Sequence, residues 1–272
     1  MLRQRVLVTV VLLPVGLWIF ALGGWVFAGA MAVVLALAAR EYAELFRRGG
    51  LRPWTVLLVV GVAALVLVRQ ARAFDDSAAL LAGLALAAMT WHLIDFERGA
   101  PHSAIDFGVT LGGMAYLGLV GAYLVSLRNL PDGLWWLLIS LPAVWIGDSA
   151  AYFVGRAYGR HKMAPRLSPK KSWEGYVAGV VGAALAGAAL AALYRFGFHQ
   201  ASTVTVTAGL ILGLVLGLIT PLGDLGISML KREMQVKDSG TLLPGHGGVL
   251  DRTDSWLWAG LLGYYLARLL AA

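Results

Sequence analysis

Residues 6–39 form a run of 34 without one charged side chain, and seven more such runs follow at 53–68, 77–94, 107–127, 133–147, 175–194, 196–223 and 255–267. A helix that crosses a bilayer needs about 17–25 mostly apolar residues, so most of this chain is cut to that length. Composition closes the alternatives. Apolar residues make up 59% and charged residues 14%, with a mean hydropathy of +0.75, whereas a soluble domain carries about 45–50% and 25%. Even a large single domain in water leaves too much surface to cover for such a chain to be hidden. Aromatic and branched residues occur throughout, which excludes low complexity, and disordered chains are poor in apolar residues. The expected class is all-α: a polytopic integral membrane protein.

At about 1.5 Å per residue, the first run is roughly 51 Å long as a helix, too long for one crossing and enough for two short ones. Gly23-Gly24 near its middle supplies a turn, and Pro14 kinks the first half. The run at 255–267 extends to Ala272 if Arg268 snorkels to the far interface. About nine transmembrane helices result. The first segment has no good cleavage site and leads straight into further spans, so a signal peptide is not expected. With the N terminus cytoplasmic, 17 of the 22 Lys and Arg fall inside and 5 (Arg69, Arg72, Arg128, Arg195, Arg268) outside, as the positive-inside rule requires. A single crossing at 6–39 would split Arg3 and Arg5 from the Arg40–Arg52 cluster, so the hairpin is preferred.

Cysteine is absent, which excludes disulfides, thiolate metal sites and a cysteine nucleophile. The net charge of +7 raises nucleic acid or anionic lipid as partners. Topology alone accounts for many of the cytoplasmic bases, so nucleic acid is not expected. Glycine is frequent, at 34 of 272 residues, which suits close helix packing in lipid and permits a homodimer.

The acids are less expected. Only Asp75, Asp76 and Asp132 of the 15 fall outside. Asp148 and Asp224 interrupt long apolar runs, where a carboxylate at the helix centre costs on the order of 2.5–3.5 kcal/mol on insertion scales. Asp148 after Gly147 reads either as a helix cap or as a site residue. Asp224 is followed by further apolar residues, so it needs a partner; a cation is the simplest, and hard oxygen donors suit magnesium. Residues 228–254 combine Lys231, Arg232, Lys237 and Arg252 with Gly245, Gly247 and Gly248 and with Asp251 and Asp254. Cationic donors, glycine turns that admit an anion to backbone N–H groups and paired acids describe a metal–phosphate site. A turn-and-anchor loop would need only the bases. Asp251 and Asp254 share a face if the last helix begins there, and Asp254-Ser255 would cap it. Lys170-Lys171 followed by Glu174 is weaker evidence, since lysines beside a membrane helix commonly anchor to anionic lipid.

Residues 228–254 match a long pattern: Ser228-x-apolar-Lys231-Arg232, four residues, Lys237-Asp238, a small residue, then Pro244-x-His246-Gly247-Gly248-apolar-x-Asp251-Arg252-x-Asp254. The chain thereby resembles the phosphatidate cytidylyltransferases, or CDP-diacylglycerol synthases. Gly147-Asp148-Ser149 through Gly155-Arg156 to Ser168-Pro169-Lys170-Lys171 and Glu174-Gly175 is similar to the same family, with Ser172 where threonine is common. The likeness covers residues 145–254; the N-terminal half matches only in hydrophobic topology. The chain therefore divides into N-terminal transmembrane helices (1–144) and a C-terminal catalytic region (145–272).

The resemblance implies transfer of CMP from CTP to phosphatidate, giving CDP-diacylglycerol and pyrophosphate for phospholipid biosynthesis, with magnesium required and a second cation allowed. The enzyme would be a multi-pass protein of the cell inner (plasma) membrane, its site facing the cytoplasm, where a bilayer lipid and a soluble polyanion meet. By resemblance Asp224 and Asp251 hold the metal. Lys231, Lys237, Arg232 and Arg252 bind phosphates, and Lys170 and Lys171 approach the lipid or nucleotide phosphate. Asp148, Gly247, Gly248 and Asp254 line the substrate site. His246 either donates to the leaving pyrophosphate or shapes the glycine turn. The rivals are another CTP-dependent membrane enzyme, either a lipid-alcohol kinase or an archaeal-type lipid cytidylyltransferase, and a cation-coupled transporter. A transporter would cluster its acids at the midplane of repeated halves.

Overall fold

The computed structural model describes residues 13–197, 203–240 and 247–271. They are almost wholly helical. A short helix α1 (Leu13–Leu22) ends at Gly23, and α2 (Gly24–Arg48) follows. Gly23 and Gly24 have φ of +62° and +51°, a left-handed pair that breaks the run where the double glycine predicts a turn. Next come α3 (Thr55–Arg72), α4 (Asp75–Glu97), α5 (Ser103–Gly113), a π-helical stretch (Met114–Val120) and α6 (Tyr123–Arg128). Helix α7 (Gly133–Tyr158) leads into a hairpin of β1 (Lys162–Ala164) and β2 (Ser168–Ser172). Then follow α8 (Trp173–Ala192) with a π-helical end (Leu193–Gly197), α9 (Val206–Ile219), α10 (Pro221–Glu233) and α11 (Leu250–Leu270).

Among the described residues, seven helices are long and apolar enough to cross a membrane: Gly24–Arg48, Thr55–Arg72, Asp75–Glu97, Ser103–Arg128, Gly133–Tyr158, Trp173–Gly197 and Val206–Glu233. They match the second to eighth crossings read from the charge-free runs, and the all-α polytopic class is observed. Of the first expected crossing, residues 6–12 lie outside the described residues, and the rest is the short apolar helix α1 (Leu13–Leu22). Helix α11 spans 21 residues, carries Asp251, Arg252, Asp254 and Arg268, and is not among the seven.

The helices outrun the uncharged stretches, because charge ends a run without ending helical hydrogen bonding. Helix α7 continues through Asp148 to Tyr158, so Asp148 lies inside the helix and the cap reading is corrected. Asp254 is likewise inside α11, which begins at Leu250, so Asp254 does not cap it. Residues 159–172 contain an antiparallel hairpin, with Lys162 opposite Ser172 and Ala164 opposite Ser168. Its base is tied by Glu174, which accepts from the backbone N–H groups of Arg160 (3.2 Å) and His161 (3.2 Å) and meets His161 Nδ1 at 2.6 Å. Ser172 caps α8 by accepting from Gly175 N–H.

Packing groups the chain into two compact units, residues 1–126 with 230–253, and residues 127–229 with 254–272. In the first, α2 packs on α3, and α3 on α4 and the π-helical stretch. Fully buried Phe27, Leu35, Leu45, Leu58, Leu65, Met114 and Leu117 fill the space between. In the second, α8 lies between α7 and α9. A Cβ on Gly209 or Gly213 would collide with the carbonyl oxygen of Gly187 or Ala183, so the α8–α9 approach requires glycine. This is the small-residue packing that helices use in lipid.

Candidate active site

In the first unit Ser239 and Gly248 of the matched segment bond to Asp251, in the first turn of α11. Lys231 Nζ, in the last turn of α10, meets Asp251 Oδ1 at 2.6 Å, with side-chain exposures of only 13% and 10%. The other oxygen, Oδ2, accepts three bonds: Ser239 N–H at 3.0 Å, Ser239 O–H at 3.0 Å and Gly248 N–H at 3.2 Å. Burial opposes ionisation of Asp251, but Lys231 and the Ser239 donors outweigh it and hold the carboxyl below its ordinary value. One carboxylate therefore ties both ends of the loop to a lysine.

The glycines are spatially required here. Gly247 has φ +81°, and a Cβ on Gly248 would run into Ser239 Oγ and Glu41 Oε2. Glu41, from α2, accepts from Leu250 N–H at 2.9 Å and from Ser239 O–H at 3.2 Å. Sequence reasoning missed Glu41: among Arg40, Glu44 and Arg47 it looks like any charge at a helix end. Lys237, Arg232 and Arg252 lie on the accessible surface of this region. His246 lies outside the described residues.

In the second unit a group of acids gathers around Asp224. Lys171 Nζ, on β2, meets Asp224 Oδ2 at 2.5 Å, with side-chain exposures of 29% and 42%. Its neighbour Lys170 on β2 is exposed. Asp148, from α7, lies within electrostatic reach of Asp224 and Lys171, and buried Asp254 within reach of Asp224 and Asp148. Close helix approach makes this possible. A Cβ on Gly223 would sit 2.7 Å from the carbonyl oxygen of Asp254 and 2.6 Å from Trp258 Cδ1. The glycine next to Asp224 thus lets the start of α10 lie against α11. Gly147, next to Asp148, would with a Cβ come 2.9 Å from the carbonyl oxygen of Gly179.

Asp148, Asp224 and Asp254 thus lie within electrostatic reach of one another, with Lys171 paired to Asp224. Among the described residues no three His, Asp or Glu side chains converge as a ready-made metal cage.

The model of the cytidylyltransferase family matches residues 3–270. The chain belongs to the cytidylyltransferase family. Among its relatives, a phosphatidate cytidylyltransferase of Synechocystis is 32% identical, over 98% of this chain and 97% of the relative. One of Brucella suis is 35% identical, over 99% and 94%. A chloroplastic phosphatidate cytidylyltransferase of Arabidopsis thaliana is 33% identical, over 93% and 69%. The family read from residues 145–254 thus extends over nearly the whole cytidylyltransferase chain, including α2 and Glu41.

Proposed function

We propose that this protein transfers CMP from CTP to phosphatidate, producing CDP-diacylglycerol and pyrophosphate for phospholipid synthesis. The observation that carries this reading is the near-full-length similarity to proteins named phosphatidate cytidylyltransferase. An oxygen of the phosphatidate phosphate attacks the α-phosphorus of CTP. The new P–O bond forms as the bond to the bridging oxygen breaks, and that oxygen leaves on pyrophosphate. The attacking monoester is already an anion near neutral pH, its second pKa being about 6, so no side-chain nucleophile is needed. The barrier is the approach of two polyanions, which positioning and charge neutralisation lower.

Lys231, Arg232, Lys237 and Arg252 bind nucleotide phosphates, and Lys170 and Lys171 bind the lipid or nucleotide phosphate. The glycine turn at Gly247 and Gly248 would let a phosphate oxygen approach the backbone, although the Gly248 N–H is itself given to Asp251 Oδ2. Asp224 and Asp251 would hold magnesium, Asp251 in exchange for its bonds to Lys231 and Ser239, with Asp148 and Asp254 as acidic neighbours of Asp224; the cation would supply neutralisation of phosphate charge. The 17-to-5 distribution of Lys and Arg supports a cytoplasmic N terminus and a site on the cytoplasmic face of the inner membrane.

Purified protein in detergent, given labelled CTP, phosphatidate and magnesium, is expected to yield CDP-diacylglycerol and pyrophosphate, and to stop when magnesium is chelated. Label transferred instead to a lipid alcohol or only to an archaeal-type lipid phosphate would overturn the substrate assignment.

A further inference from the structure

Glu41 is remote from the matched motif, separated by 198 residues from Ser239 and by 209 from Leu250, yet it makes hydrogen bonds to both. It is 9% exposed. A buried carboxylate is costly unless hydrogen-bonded, so a side chain serving only to fill space here would be apolar. Its Oε2 takes the N–H of Leu250, one of the first-turn groups of α11 that have no partner within the helix. The other oxygen, Oε1, has no hydrogen-bond partner among the described residues and lies against Gly240.

Ser239 joins this carboxylate to Asp251. Its hydroxyl lies 3.2 Å from Glu41 Oε2 and 3.0 Å from Asp251 Oδ2, and it has one proton to give. The two acids therefore share one donor, and both bond to backbone N–H groups flanking the glycine turn. Leu250 immediately precedes Asp251, so the bond from Glu41 fixes where the helix starts and where the Asp251 carboxylate points.

We propose that Glu41 is a positioning residue for CMP transfer: by holding Leu250 N–H and Ser239 O–H from α2, it orients Asp251 toward Lys231. The assignment rests on the function proposed above. It does not require Glu41 to touch either substrate, and it makes the acceptor oxygen, not the negative charge, the essential feature.

The test compares Glu41→Gln, Glu41→Asp and Glu41→Ala in the full-length protein. Steady-state CMP transfer is measured together with hydrogen exchange at the Leu250 amide in detergent. For Glu41→Ala, kcat should fall roughly 10–100-fold, as for loss of an orienting partner, with KM for CTP within about threefold of wild type. Exchange at Leu250 should accelerate by at least about tenfold, the equivalent of about 1.4 kcal/mol. Glu41→Gln keeps an acceptor oxygen at the same reach and should restore most of both readouts. Glu41→Asp, one methylene shorter, should resemble Ala. A Gln variant as inactive as Ala with KM for CTP raised would overturn the proposal, because the charge itself would then act on nucleotide. Unchanged Leu250 exchange in Glu41→Ala would overturn it too. If Glu41→Ala fails to fold, the Gln-against-Asp comparison decides. If the wild type transfers no CMP, the functional reading fails, and the exchange data still judge whether Glu41 holds the loop.

Discussion

Replacing Lys231 with Met tests whether the Lys231–Asp251 pair is a buried structural tie. The pair is 2.6 Å long, with both side chains nearly buried at 13% and 10% exposure. Removing the ammonium leaves a carboxylate that keeps three donors, Ser239 N–H, Ser239 O–H and Gly248 N–H. Breaking a buried pair costs about 3–5 kcal/mol, and those three donors put the expected loss near the lower end, about 3 kcal/mol. Lys171→Met breaks the 2.5 Å pair with Asp224, whose side chains are 29% and 42% exposed. Solvent screening there limits the cost to about 1 kcal/mol or less. At roughly 2–4 °C per kcal/mol for a chain of this size, Lys231→Met should lower the unfolding midpoint by about 6–12 °C and Lys171→Met by no more than about 4 °C. Thermal unfolding of the purified variants in one detergent, at one scan rate, measures both. Adding Asp251→Asn to Lys231→Met should recover part of the loss, since the uncompensated charge is gone. Equal shifts for the two lysine variants, or no recovery in the double variant, would refute the reasoning from burial.

Asp224→Asn and Asp251→Asn should each abolish magnesium-dependent CMP transfer while the protein still inserts and elutes as wild type; near-normal turnover in either removes that residue from the cation site. Gly248→Ala places a methyl against Ser239 Oγ and Glu41 Oε2 and should cost about tenfold or more in kcat/KM, a loss of about 1.4 kcal/mol or more. Gly226→Ala, in α10 with open space around the added Cβ, should keep activity and gain about 0.5–1 kcal/mol in stability; the same transfer assay and melting curve check both.

The positions of the crossings were legible because lipid leaves a long apolar run only a helical solution. The motif was legible because its bases, glycines and acids lie within 27 consecutive residues, 228–254. Helix ends were not, since Asp148 stops an apolar run without stopping α7. The β1–β2 hairpin was hidden because Pro169, Lys170 and Lys171 are poor strand formers; Glu174, at the start of α8, ties its base.

By itself the sequence determined the solvent of this protein and the chemistry it can offer. Counting uncharged residues is enough to find helices in a bilayer, and a contiguous motif carries its own donors. Tertiary structure decided which acid meets which base. Asp224 faces Lys171 and Asp251 faces Lys231, although all four were equally eligible as site residues by type. It also decided that residues 230–253 pack with the N-terminal helices, which gives Ser239 and Leu250 a carboxylate from α2. The physical reason is that a buried polar group takes whichever partner the packed helices bring within about 3 Å, and that nearness across the chain leaves no trace in local spacing.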